Sequence, residues 1–290
     1  MAKIKIGGKE IDEGGTPYLI AEIGINHNGD LQLAKRLIDA VFACSWDCAK
    51  FQKRNPDKCV PEHQKNEPKD TPWGAMTYLQ YKYRMEFGKK DYDAIDRYCR
   101  YKPIDWTASV WDFDSLDFIK QYDVPFIKIP SALLTNLGLI RAAAKTNIPI
   151  IASTGMSTLK EIDAAVNVLE RYASQYALLH CNSSYPAKTS ELNLRVIPKL
   201  KKRYNCVIGY SGHEWGLLST PLAIAMGAQI IERHITLDHA MWGTDHASSI
   251  EPQGMDKLAR QIRTVHAVLG DGHKVVYESE LAVQKKLRGV

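Results

Sequence analysis

The stretch Ile148-Pro149-Ile150-Ile151-Ala152-Ser153-Thr154-Gly155-Met156-Ser157-Thr158 decides the fold. Its apolar run has the length and continuity of a strand buried on both faces. The run stops at Ser153. Ser157 or Thr158 then opens a helix over 158–172, with Glu161 placed as a capping-box partner. The same unit recurs downstream and upstream. Strand 105–110 leads to helix 113–122, strand 126–129 to helix 136–146, and strand 176–181 to helix 192–203. Strand 206–211 leads to helix 216–226, and strand 229–234 to helix 254–269. Nearer the N-terminus, the buried strand 18–23 precedes a helix from Leu31 to Cys44 that Asp30 caps, and Cys48 to Gln52 form the second strand. Eight strand–helix units between residues 18 and 269 describe an α/β protein, a (β/α)8 TIM barrel. A doubly wound sheet would carry a glycine fingerprint after its first strand, and no GxGxxG stands there.

Outside the repeats, residues 1–15 contain an N-terminal β-hairpin turning at Gly7-Gly8, which in a barrel would plug the bottom. Residues 16–269 form the barrel, and 270–290 are a tail with a charged helix from Glu278 to Leu287, suited to cover a barrel face or a partner. The whole is a single domain. The segment 53–88 is long for a connection inside a compact domain, and its aromatics suit either a lid over a site or cover for an apolar flank.

The 290 residues are 45% hydrophobic and 24% charged, an ordinary globular balance. Net charge is +5, with no dense basic stripe, so nucleic acid is not expected as a partner. A mild basic excess suits small anionic substrates. No apolar stretch approaches a membrane span and Met1-Ala2-Lys3 opens no signal peptide, so a cytoplasmic protein is expected. The six cysteines are scattered without a CxxC pair and suit reduced thiols.

Barrel enzymes place their chemistry where strands end. Read in order, those ends carry Glu22, Lys50 and Gln52, Ser109, Lys128 and Ser131, Ser153, Ser183 and Tyr185, Ser211 and His213, and Glu232 and His234. His213 and His234 end neighbouring strands, and two imidazoles on one rim suit a divalent transition metal; a salt-bridged strand end with satisfied histidines is the plainer alternative. Lys50 and Lys128 lie inside apolar strands, where an ammonium needs an anionic partner. Hydroxyls around them suit a phosphate or carboxylate cradle, and internal pairing with Glu22 or Glu232 is the competing reading. Asp245, on the loop after the last strand, suits a metal ligand, a base or a helix cap.

Seven motifs in this order carry a resemblance: Ala21-Glu22-Ile-Gly-Ile-Asn-His-Asn-Gly29, Lys50-Phe-Gln52, Lys128-Ile-Pro-Ser131, Ser153-Thr-Gly-Met156, Leu179-His-Cys-Asn-Ser-Ser-Tyr-Pro186, Ile208-Gly-Tyr-Ser-Gly-His213 and Glu232-Arg-His234. From about residue 16 to 269 the chain resembles the sialic acid synthase (N-acetylneuraminate synthase) family. The resemblance implies condensation of phosphoenolpyruvate with an aldose, N-acetylmannosamine-like or another sugar, to a 3-deoxy-2-keto sugar acid plus phosphate. It implies Mn2+, or else Mg2+ or Co2+, on His213 and His234 with Glu232 supporting. It implies that Lys50, Ser109, Lys128, Ser131, Ser153, Ser183 and Ser211 hold phosphoenolpyruvate. Glu22, Gln52, Tyr185 and Asp245 would face the sugar or a metal-bound water, with Glu22, Lys50, Tyr185 and Asp245 as the catalytic set. A homo-oligomer, dimer or tetramer, is expected.

Two departures from the family pattern stand out. No room for the usual C-terminal antifreeze-like domain is expected in 290 residues, and Ala132-Leu133 follow Ser131 where many members have Gly-Glu. Both fall on sugar recognition, and the 53–88 loop is the candidate substitute. The alternatives are a metal-dependent aldolase or epimerase on the same barrel, and a sugar-binding barrel without catalysis.

Overall fold

The computed structural model describes residues 2–289. Strands β1 (Ile4–Ile6) and β2 (Lys9–Ile11) form the expected antiparallel hairpin. Ile4, Ile6 and Ile11 pack on Tyr18, Val207 and Ile230, residues at the starts of barrel strands, so the hairpin does plug the bottom. The chain continues through β3 (Tyr18–Gly24), α1 (Leu31–Ala43), β4 (Cys48–Lys53), α2 (Pro56–Cys59), β5 (Pro68–Thr71), β6 (Gly74–Thr77), α3 (Tyr78–Met85) and α4 (Lys89–Tyr101). It then alternates without interruption: β7 (Asp105–Val110), α5 (Phe113–Ile119), β8 (Ile127–Ile129), α6 (Leu137–Ala144), β9 (Ile150–Ser153), α7 (Leu159–Tyr172) and β10 (Tyr176–Cys181). The last elements are α8 (Val196–Arg203), β11 (Val207–Gly212), α9 (Ser219–Ala225), β12 (Ile230–His234), α10 (Pro252–Leu269) and α11 (Glu278–Arg288).

Eight parallel strands close in the order β3-β4-β7-β8-β9-β10-β11-β12, and β12 pairs back onto β3. Register sets the functional rim. His234 lies opposite Glu22, Glu22 opposite Lys50, and Ser109 opposite Lys128. A register shift between Glu22 and Gly24 ends regular pairing at the top of β3.

Local signals set the helix starts. Asp30 accepts from the backbone N–H groups of Gln32 and Leu33, and Thr158 forms a capping box with Glu161. Several helices are shorter than their periodicity predicts. Helix α5 stops at Ile119 rather than 122, before the Val124-Pro125 pair that restricts the chain to extended backbone. Helix α8 starts at Val196 rather than 192, because the preceding segment is spent on a 3-10 turn at Thr189–Glu191 and on Asn193 at φ +43°. Helix α10 begins earlier than predicted, at Pro252, a residue favoured in a first helical turn.

The tail helix α11 has no buried residue, so it covers no barrel face. The 53–88 segment folds as the β5–β6 hairpin and α3. Tyr81 and Met85 join Ile25 in a small apolar cluster against Met76, Tyr78 and Trp242, which is flank cover, and Trp73 of the hairpin turn meets Trp242 on the loop after β12. All six cysteines are unpaired. Among the described residues no helix is long and apolar enough to cross a membrane.

Candidate active site

The strand ends converge on one polar pocket at the C-terminal rim. Thirteen of the residues singled out in the sequence line it: Glu22, Lys50, Gln52, Ser109, Lys128, Ser131, Ser153, Ser183, Tyr185, Ser211, His213, Glu232 and His234. Its enclosed volume is about 160 Å³. Sites for drug-sized ligands usually run to roughly 300–1,000 Å³. The floor therefore suits one small anion, and a sugar would lie across the mouth.

Four charges make the floor. Lys50 Nζ lies 2.5 Å from Glu22 and 3.7 Å from Glu232, and Lys128 Nζ lies 3.7 Å from the other oxygen of Glu232. The internal pairing considered from sequence is therefore present. It does not exhaust the ammoniums: Lys128 Nζ also donates to Ser153 Oγ at 2.7 Å, and Ser211 Oγ donates to Glu232 at 3.1 Å. Burial pushes the Glu22 carboxyl up, against the pull of Lys50. Burial would raise Glu232 too, but the ammoniums of Lys128 and Lys50 outweigh it and hold this carboxylate ionised. Lys50 resists its burial through both carboxylates and stays above the ordinary lysine value. Lys128 has only a share of Glu232 and a like charge in Lys50, so burial lowers it. Gln52 Nε2 donates to Glu22 Oε1 at 3.1 Å and aims that carboxyl.

The two imidazole rings stand 5.5 Å apart, centre to centre. His213 Nδ1 lies 2.6 Å from the Asn182 carbonyl, which can only accept. Nδ1 therefore carries the proton, and Nε2 presents its lone pair to the Tyr185 hydroxyl at 2.9 Å. Burial, then His234, lowers His213 to about 4. Burial also lowers His234, against the pull of Asp245, so both rings are neutral at pH 7. His234 Nδ1 is buried without a hydrogen-bond partner, 3.8 Å from Asp245 Oδ2. Burial holds the Tyr185 phenol protonated. Asp245 precedes a 3-10 turn at His246–Ser248 but makes no side-chain cap there; it accepts from the Thr244 hydroxyl, faces His234 and, alone of the residues expected at the site, lies outside the pocket lining.

This donor set fits a divalent ion of the borderline kind. One imidazole has its tautomer fixed from behind, and the other has an orphaned nitrogen. Among the described residues no three His, Cys, Asp or Glu side chains converge on one point, so an ion held here would take two protein ligands, His213 and His234.

The serines form a second wall. Ser131 Oγ accepts from the Gly155 N–H at 3.1 Å and touches Cys181 Sγ at 3.1 Å. A Cβ at Gly155 would come within 2.2 Å of Ser183 Oγ and 2.8 Å of Ser131 Oγ, so glycine keeps this hydroxyl cradle open. Ser109 Oγ accepts from Trp111 Nε1 at 3.2 Å.

Sequence reasoning missed several participants. The Asn182 carbonyl, Trp111 and Arg54 carry no local signature, since their roles depend on contacts between loops. Arg54 stacks 4.4 Å over the Trp111 ring and donates to Gln52 Oε1. Trp242, on the loop that bears Asp245, meets Trp73 of the hairpin turn edge-on at 5.2 Å. The Gly-Thr-Asp run pointed to that loop, but nothing near Trp242 pointed to the hairpin.

The model of the NeuB family matches residues 37–274. The N-acetylneuraminate-9-phosphate synthase of Drosophila melanogaster is 40% identical, over 89% of this chain and 69% of its own. The N,N'-diacetyllegionaminic acid synthase of Legionella pneumophila is 36% identical, over 94% of this chain and 79% of its own. The crystal structure of N-acetylneuraminic acid synthetase from Leptospira borgpetersenii, in complex with citrate, superposes with a TM-score of 0.87 at 33% identity, over 99% of this chain and 97% of that one.

Proposed function

The chain belongs to the NeuB family and is a synthase of the sialic-acid class, and from that premise we propose that it condenses phosphoenolpyruvate with an aldose, with help from a divalent metal ion. The observation that carries this reading is the pairing, in one pocket, of the Lys50–Glu22–Glu232–Lys128 charge network with two neutral imidazoles. A binding barrel has no need to bury four charges, because such networks rarely add stability over apolar packing.

His213, through Nε2, and His234 would hold the ion, Mn2+ as the family resemblance implies or else Mg2+ or Co2+, and the ion would supply Lewis-acid polarisation of the aldehyde. The chain's own residues do the rest. Lys50 and Lys128 grip the phosphate and carboxylate of phosphoenolpyruvate, with Ser131, Ser153, Ser183 and Ser211 as hydroxyl donors. Held so, C3 faces the aldehyde carbon, and orientation lowers the barrier to the C–C bond. Positive charge develops at C2, where Glu22, aimed by Gln52, stabilises it and takes a proton from the adding water. Phosphate then leaves the tetrahedral C2. Tyr185 and Asp245 stand on the acceptor's side of the site.

The test is phosphate release from phosphoenolpyruvate with Mn2+ across a panel of aldoses, with His234→Ala as the blank. Release with one sugar that disappears in the variant supports the reading. Cleavage or epimerisation of a sugar without phosphate release would replace it with the aldolase alternative. The named relatives include a synthase of a phosphorylated acid and one of an unphosphorylated acid, so the family leaves the acceptor's phosphate open.

A further inference from the structure

Beside the pocket, along the loop that carries Trp242 and Asp245, stands more positive charge than the nearby carboxylates answer. Lys69 Nζ lies 4.9 Å from the Tyr81 ring and 5.9 Å from the Trp242 ring. Lys82 Nζ lies 5.2 Å from the same Tyr81 ring and 4.8 Å from Tyr78. Among the described residues neither ammonium has a carboxylate within 4.0 Å. Arg54, which stacks on Trp111 and donates to Gln52, both in the pocket lining, completes the group close enough to lower Lys82. The acidic neighbours are few and committed. Glu86 accepts from Lys53 Nζ and the Arg54 backbone N–H and lies 3.4 Å from Arg54 Nε. Asp245 accepts from Thr244 and faces His234. Burial, then Arg54, lowers Lys82 to about 8, with Asp245 opposing, so it keeps its proton at pH 7 while sitting among like charges.

Aromatic faces explain where the lysines rest, but not why two cations are gathered beside a third. Like charges held together without counter-charge mark a place for a ligand anion. The deep anion-binding lysines, Lys50 and Lys128, are a separate group on the barrel floor.

We infer that Lys69, Lys82 and Arg54 bind a phosphate at the far end of the acceptor, which makes the substrate a terminally phosphorylated aldose. This rests on the condensation reading, which fixes the sugar's polarity. The aldehyde carbon must point inward, to meet phosphoenolpyruvate beside His213 and His234. The other end of the sugar then leaves through the mouth, toward the cations. The Trp242 and Tyr81 rings beside them, 5.6 Å apart and edge-on, offer apolar cover for the sugar between its two ends.

Phosphate release with Mn2+ would be measured for mannose against mannose 6-phosphate, and for N-acetylmannosamine against its 6-phosphate. For one pair, kcat/KM should favour the phosphorylated sugar by about tenfold or more, the scale of one lost charge-assisted contact. In Lys69→Gln/Lys82→Gln that preference should collapse toward one, whereas Lys82→Arg, which keeps the charge, should retain it. Equal use of both sugars by the native enzyme, or a preference that survives the double substitution, would overturn the inference and leave condensation standing. No phosphate release with any sugar would overturn condensation itself, and this inference with it.

Discussion

The Lys50 ammonium lies 2.5 Å from the Glu22 carboxylate, and each side chain is only 3% exposed. Replacing Lys50 with Met leaves Glu22 and Glu232 facing each other across an apolar gap. We expect a loss of about 3–5 kcal/mol in urea denaturation, the cost of a buried charge left without its partner. The double variant Lys50→Met/Glu22→Leu should regain most of that stability and stay inactive. A double variant as unstable as the single one would mean that the pair is structural.

Gly155→Ala puts a methyl group into the serine cradle, 2.2 Å from Ser183 Oγ. Hydroxyls can turn aside, so the fold should hold within about 1–3 kcal/mol. The KM for phosphoenolpyruvate should rise roughly tenfold, equivalent to about 1.4 kcal/mol of lost binding. An unchanged KM would place the substrate away from this wall.

His213→Ala should weaken Mn2+ binding, read by electron paramagnetic resonance of the free ion, by about a hundredfold or more, since it removes one of only two protein ligands. Tyr185→Phe, which frees Nε2 from its 2.9 Å hydroxyl contact, should bind the ion at least as well as the native chain. Equal Mn2+ affinity in the native chain and His213→Ala would refute this assignment.

His27 gives a stability prediction away from the site. Its ring stacks on Phe87 at 4.0 Å, and Nδ1 accepts from the Gly29 N–H. Burial, against a weaker pull from Asp30, lowers it to about 3. The unfolded chain takes up this proton near pH 6.5, so the folded state's advantage is full above that pH and lost as pH falls toward 3. The loss is on the order of 5 kcal/mol. His27→Phe should cost about 1 kcal/mol at pH 7.5 for the unmet Gly29 donor, yet decline less between pH 6.5 and 4. Parallel pH curves in urea melts would show that His27 does not control the acid limb.

Much of this architecture was legible in the sequence because a barrel strand is a local object. The apolar run ending at Ser153 gives both the strand and the position of its last side chain, and register then brings Glu22, Lys50 and His234 to one rim. The competing readings of Lys50 and Lys128 were legible too, since a buried ammonium must be answered. The orientation of His213 by the Asn182 carbonyl was not. Neither were the meeting of Trp242 with Trp73 nor the gathering of Lys69 and Lys82 near Arg54. Each depends on how separate loops lie against one another, which no periodicity records. The helices at 196 and 219 start later than their periodicity predicts for a related reason: residues with helical spacing bridge the rim instead.

The seam between β12 and β3 sets Ile230 against Tyr18 and His234 against Glu22. The first and eighth strands thus bring Glu22, Glu232 and His234 together across the closing seam. A chain emerging from the ribosome can set Lys50 against Glu22 early, but the imidazole opposite Glu22 arrives only when residue 234 is free. Lys128 must wait over most of synthesis as an exposed ammonium in a sticky strand, without the Glu232 that later shelters it. Enzymatic competence therefore arrives in one late event, with closure of the ring. A fragment cut anywhere before β12 should hold neither metal nor substrate, however much of its helical layer has formed.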